Sequence, residues 1–119
     1  MSIEPNDFLI WADNQPRQTE TDLRCIVSRA YYSAYHRCLI FARTLGLNLD
    51  NPRRGVHQRL IDALRQHRDA RLRSIGRELK ALRDLRSRAD YRLEETVGEI
   101  EANNALWKAK RLAEKVKAP

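Results

Sequence analysis

The chain has 119 residues, 42% of them apolar and 33% charged, with four glycines and four prolines, a balance that suits one globular domain and excludes collagen-like, low-complexity and disordered classes. No apolar run approaches the roughly 20 residues a bilayer span needs, and the start MSIEPNDFLIW is acidic where a secretion signal is basic, so a cytoplasmic protein without membrane attachment is expected. The net charge of +7 is uneven: residues 51–92 hold thirteen basic and five acidic side chains, a block able to attract RNA, DNA or an acidic partner, or simply to solvate a helix face.

Periodicity predicts helices throughout and no strand. A short first helix spans about residues 4–14, with Pro5 in its first turn and NQP ending it. Thr19 or Thr21 caps a long second helix that stops at Gly46. LNLDNPRRG at 47–55 is a loop by its Asn, Pro and Gly content. A third helix over about 56–67 carries Leu60, Ile61 and Leu64 on one side, a fourth covers about 69–93, and a fifth covers about 95–117 with Val97, Ile100, Leu112 and Val116 among its apolar positions. These elements predict an all-α fold, an antiparallel four-helix up-and-down bundle with an additional short N-terminal helix. It forms a single domain over 1–119, of which 1–18 are the short helix and link and 19–117 the bundle.

The second helix has an ordinary core arc in Leu23, Val27, Tyr31, Ala34, Cys38, Phe41 and Leu45. Its opposite side carries Arg29, Ser33, His36 and Ile40, flanked by Cys25, Ile26 and Tyr32, which predicts a central helix covered on nearly all sides, in part by a second copy of the chain. Cys25 and Cys38 lie on roughly opposite sides of this helix, cannot bridge each other and fit no zinc motif, so they read as reduced core thiols. No Gly-rich phosphate loop or catalytic triad constellation appears, and neither a metal nor a cofactor is expected.

The fourth helix poses a sharper question. Counted at about 100° per residue, Leu72, Ile75, Leu79 and Leu82 fall within about 40° of Arg86, as does Asp90. A charged pair therefore lies in the apolar stripe. Asp90 can meet Arg86 along its own helix or Arg29 from the second helix, and such a centre is either a device fixing helix register or a site. On the outward side Arg73, Arg77, Lys80 and Arg88 form a basic stripe that reads as a phosphate-binding row or as a solvated surface. Trp11 and Trp107 read as core or interface anchors.

SRAYYSAYHRC at 28–38, a loop ending in GVH at 55–57, and LRSRADY at 85–91 together resemble the HEPN superfamily (higher eukaryotes and prokaryotes nucleotide-binding), in its branch of small bacterial and archaeal helical proteins with S-R-A-Y-Y and R-x-x-A-D-Y motifs. The resemblance covers about residues 20–117. It implies an HEPN-like bundle that pairs into a homodimer, often in a toxin–antitoxin or defence setting beside a minimal nucleotidyltransferase antitoxin, and that acts on or binds RNA. Active members of the superfamily use an Arg, four to six intervening residues and a His, without a metal. Laid on this chain the Arg is Arg86 and the His position is Tyr91, so the motif is degenerate. Metal-free RNA cleavage needs a proton carrier near pH 7 and a cation for the phosphorane charge. Arg86 supplies the cation, Tyr91 with an ordinary pKa of about 10 replaces an imidazole poorly, and His36 or His57 is the remaining source. The catalytic candidates are Arg86, Asp90, Tyr91 and His36, and Arg29 with Asp90 is the expected polar centre. The alternative is a non-catalytic module that binds and regulates a nucleotidyltransferase partner or nucleic acid.

Overall fold

A computed structural model describes residues 2–117; the parts of the single-domain expectation that fall on Met1, Ala118 and Pro119 lie outside the described residues. Five helices form: α1 (Pro5–Asp13), α2 (Glu20–Thr44), α3 (Val56–Arg65), α4 (Ala70–Tyr91) and α5 (Glu99–Lys115). No strand occurs among the described residues, and no helix among them is long and apolar enough to cross a membrane.

Local chemistry fixes the helix ends. Of the two candidate caps Thr19 is chosen, because its hydroxyl accepts the Asp22 N–H at 3.1 Å while the Asp22 carboxylate accepts the Thr19 N–H at 3.1 Å, which satisfies two orphan donors at once. At the other end of α2, Gly46 adopts φ 71°, and its N–H donates to Arg43 O at 3.0 Å while Leu47 N–H donates to Ala42 O at 3.0 Å. That double bond pattern needs a left-handed residue, which glycine supplies without a Cβ penalty. The fifth helix starts at Glu99 rather than near 95. Val97 is drawn into the core ahead of the helix, and Gly98 in extended conformation donates its N–H to Glu101 Oε2 at 3.1 Å. Ile100, read as apolar packing from sequence, is 81% exposed; the buried face of α5 is instead Ala102, Ala105, Leu106, Ala109 and Leu112.

All four other helices pack on α2. Ile26 and Ser33 on its expected back are buried within the chain itself, whereas Ile40 stays 54% exposed. Cys38 is buried but Cys25 is exposed, which corrects the expectation of two core thiols. Leu45 and Trp11 also lie outside the core, and so does Trp107.

The order of the helices departs from a simple up-and-down bundle. Arg24 near the start of α2 reaches Ala89 O at the end of α4, and Arg71 at the start of α4 reaches Lys115 O at the end of α5, so α4 runs against both. Gln58 at the start of α3 bonds Arg83 in the second half of α4, and Gly76 in its first half meets Leu64 and Arg65; α4 therefore also runs against α3, and α2, α3 and α5 share a sense. Residues 45–55 make this possible, since a link of that length returns along α2 before α3 begins. The return is driven by α3's face of Leu60, Ile61 and Leu64, all fully buried, of which Leu64 packs where Gly76 leaves α4 without a side chain. It delivers the first turn of α3 to the middle of α2.

Candidate functional site

The site grows from one stretch of α2. Spacing of i, i+4 places Ser28, Tyr32 and His36 in one row and Tyr31 and Tyr35 in the next, so the run SRAYYSAYH turns hydroxyls, rings and an imidazole toward α4 and α3. Helix α4 contributes Arg83, Arg86 and Asp90. The first turn of α3 contributes His57 and Gln58, and α1 contributes Phe8.

At the centre, Arg86 Nε lies 3.0 Å from Asp90 Oδ2, and the Arg86 side chain is only 12% exposed. The pair is off the alignment of a hydrogen bond, leaving Nε without one, so its attraction is Coulombic. The directional bonds go elsewhere: Arg86 Nη2 donates to the Tyr32 hydroxyl at 2.8 Å, and Ser28 Oγ donates to Asp90 Oδ2 at 3.2 Å. The guanidinium carbon also stands 5.7, 5.4 and 5.3 Å from the ring centres of Tyr31, Tyr32 and Tyr91, a range in which each ring face attracts a cation.

Beside this centre the Tyr31 hydroxyl shares a 2.6 Å hydrogen bond with His57 Nδ1. The rings of His57 and Tyr35 are 4.1 Å apart, His36 meets Tyr35 at 5.1 Å, and His36 stacks on Phe8 at 5.9 Å. Arg83 donates to Gln58 Oε1 at 2.7 Å, and Gln58 in turn donates to Asp62 at 2.7 Å, which pins the first turn of α3 to α4.

Electrostatics sort these groups by state. Burial lowers the pKa of His57 below its usual value, and the nearby cations Arg83 and Arg86 together with His36 press the same way, so His57 is neutral at pH 7. Burial lifts the Tyr31 hydroxyl well above the phenol range, against a smaller pull from Arg83 and Arg86, and burial also raises Tyr35. Burial opposes the charge on Arg86, but the bond to Tyr32 and the neighbouring Tyr91 and Asp90 outweigh it. The arrangement thus offers a fixed cation beside a neutral imidazole whose Nδ1 is held by a hydroxyl, leaving Nε2 for a second partner.

Arg86, Asp90, Tyr91 and His36 all border one aromatic cluster, although Tyr91 points largely to solvent, 69% exposed. Arg29 does not join Asp90. It lies over the outer side of the Tyr32 ring at 5.0 Å, because one residue's rotation of about 100° gives the inward place to Ser28. The polar centre is therefore Arg86, Asp90, Ser28 and Tyr32.

The outward basic stripe is not uniform. Arg73 donates to His67 O and Arg68 O at 3.0 and 2.7 Å, Lys80 pairs with Asp84 at 3.0 Å, and Arg88 is tied to Glu95 at 3.6 Å and Glu101 at 3.4 Å. Arg77 is exposed.

Sequence reasoning missed Ser28, Tyr31, Tyr32 and Tyr35 as members of the site. Their signal was present in the i, i+1, i+4, i+5 spacing of YYSAYH, but which side of it faces α4 is a packing outcome. Among the described residues no group of three or more His, Cys, Asp or Glu side chains is arranged to hold a metal ion. No family model matches the chain, and neither a curated protein nor a solved structure does.

Proposed function

We propose that the chain is an HEPN-like RNA-binding protein of a cytoplasmic toxin–antitoxin or defence system, working as a homodimer, with the Arg86 centre as its RNA site and His57 in place of the missing motif histidine. The observation that carries this reading is the convergence of Arg86 and His57 on Tyr31, whose ring lies 5.7 Å from the Arg86 guanidinium and whose hydroxyl bonds His57 Nδ1 at 2.6 Å. Arg86 would stabilise the phosphorane charge. With Nδ1–H donated to the Tyr31 oxygen, the lone pair on His57 Nε2 takes the 2′-hydroxyl proton; the 2′-oxygen attacks phosphorus and the 5′-oxygen leaves with a proton, which falls to His36 to supply. Exposed Ile40 and Trp11 leave apolar surface in keeping with a second copy.

The test is cleavage of mixed transfer and messenger RNA by the purified protein in EDTA, beside Arg86→Ala and His57→Gln, with the mass in solution from light scattering. Cleavage that survives chelation and falls at least about a hundredfold in both variants is expected. No cleavage by a folded dimer sinks the catalytic reading.

One observation favours a second reading. Asp90 neutralises Arg86 and Tyr32 occupies its outward nitrogen, while Tyr91 stands where the motif histidine would be. A non-catalytic module that binds RNA or a nucleotidyltransferase antitoxin fits that arrangement, and Arg86→Ala would then change binding without any cleavage to lose.

A further inference from the structure

Away from the Arg86 centre, the last turns of α2 present Arg37, Ile40, Phe41 and Thr44 on one face by their i, i+3, i+4, i+7 spacing. With Leu45, the start of α1 and Val116, this face lines a half-open groove of about 300 Å³, at the small end of the roughly 300–1,000 Å³ of ligand sites. The walls are mainly aliphatic and aromatic, and they hold one cation, Arg37, and one carboxylate, Glu4.

Arg37 differs from the other partly buried arginines. Arg24, Arg86 and Arg88 each donate to acceptors of the chain itself. Arg37 takes part in none of the ion pairs among the described residues, and its Nε is buried without a hydrogen-bond partner, as are those of Arg86 and Arg88, but with no bond from its other nitrogens to an acceptor among the described residues. A buried guanidinium nitrogen without an acceptor is costly, and an unmet donor of this kind calls for an explanation, an anion among them. Glu4 shares the wall without coming within ion-pairing distance.

The other possible donors in the groove are spent or missing. Pro5 has no N–H, the Glu4 N–H donates to Asp7 Oδ2 at 2.8 Å, and the Thr44 hydroxyl donates to Ile40 O at 2.9 Å. A phosphate, with several oxygens to satisfy, is therefore poorly served, whereas one guanidinium fork matches the two oxygens of a carboxylate. We propose that this groove binds a small amphiphilic carboxylate, its head on Arg37 and its apolar chain along Ile40, Phe41, Leu45 and Val116. The proposal does not rest on the RNA site, although it shares Ile40 with the surface the dimer reading leaves for a second copy.

Octanoate is a suitable probe, titrated into the full ¹⁵N-labelled chain with 1-octanol and octylamine as controls of the same length. Saturable amide shifts confined to residues 4–6, 37–45 and 116 are expected, with Kd of about 1 mM or tighter and both controls at least about tenfold weaker. Arg37→Met should weaken octanoate at least about tenfold, and Glu4→Gln should tighten it by about two- to threefold through relief of like charge. Octanol or octylamine binding as tightly as octanoate, or octanoate shifts elsewhere on the protein, overturns the proposal. Those arms use the unaltered chain and stand even if Arg37→Met fails to fold.

Discussion

The clearest energetic consequence of the fold concerns Arg24, because one guanidinium from α2 closes the end of α4. Its Nη1 donates to Ala89 O at 2.9 Å and Arg88 O at 3.1 Å, its Nη2 donates to Glu95 O, and its Nε donates to Glu20 at 2.9 Å, with the side chain 12% exposed. The last carbonyls of a helix lack intrahelical partners and carry the negative end of its dipole, so a buried cation there serves both needs. Arg24→Met keeps the apolar stem and removes the donors. The Nη1 bonds, with a longer third one to Arg92 O at 3.4 Å, share a nitrogen and count roughly as one; with the Nη2 bond, at a net 1.5 kcal/mol or more for each charge-assisted bond, the loss is about 3 kcal/mol. The Glu20 pair, largely exposed on its acidic side, adds under about 0.5 kcal/mol. In urea, with a slope of about 2 kcal/mol/M, the unfolding midpoint should fall by about 1.5 M at unchanged slope. Arg24→Lys should recover part of this, since an ammonium keeps the charge but not the fork. A midpoint shift under about 0.3 M in Arg24→Met would place the residue among ordinary surface positions and refute the reasoning.

Gly76→Ala should lower the melting temperature by about 5 °C despite alanine's better helix propensity, because the new Cβ would lie 2.8 Å from Arg65 N and 2.9 Å from Leu64 Cβ; calorimetry showing an equal or higher melting temperature would refute the close approach. His57, with its folded pKa below the unfolded value, contributes stability that is present above about pH 6.5 and is lost as pH falls through the folded pKa, since in that window only the unfolded chain gains the proton. Urea unfolding between pH 8 and 5 should show this slope, and His57→Gln should flatten it; an identical slope in the variant would be incompatible with the shift. Cys25 is exposed while Cys38 is fully buried with its thiol pushed up to about 12 by burial, with Glu78 adding to the shift, so a thiol reagent should titrate one cysteine in the native protein and two in denaturant.

Much of this architecture was legible in the chain. The helices announce themselves by period, a cap for α2 at Thr19 or Thr21 by residue type, and Gly46 by the need for a left-handed stop. The Arg86 and Asp90 pair was legible too, because i, i+4 spacing brings two side chains together within a helix whatever surrounds it. What was not legible is where each face points. Arg29 and Ser28 differ by one residue, and no local rule says which of them meets Asp90.

The sequence by itself determined the local geometry: five helices, their caps and the salt bridge along α4, all set by interactions reaching no further than about one helical turn. Tertiary structure alone decided the order in which those helices lie against one another. The returning link at 45–55 brings His57 to Tyr31, and the packing of α2 on α4 turns Arg24 into a cap and buries Arg86 among tyrosines. The same packing leaves the Arg37 Nε buried without an acceptor among the described residues. These contacts join residues tens of positions apart, and they follow from which apolar faces can be buried together, a property of the whole chain that no short stretch encodes.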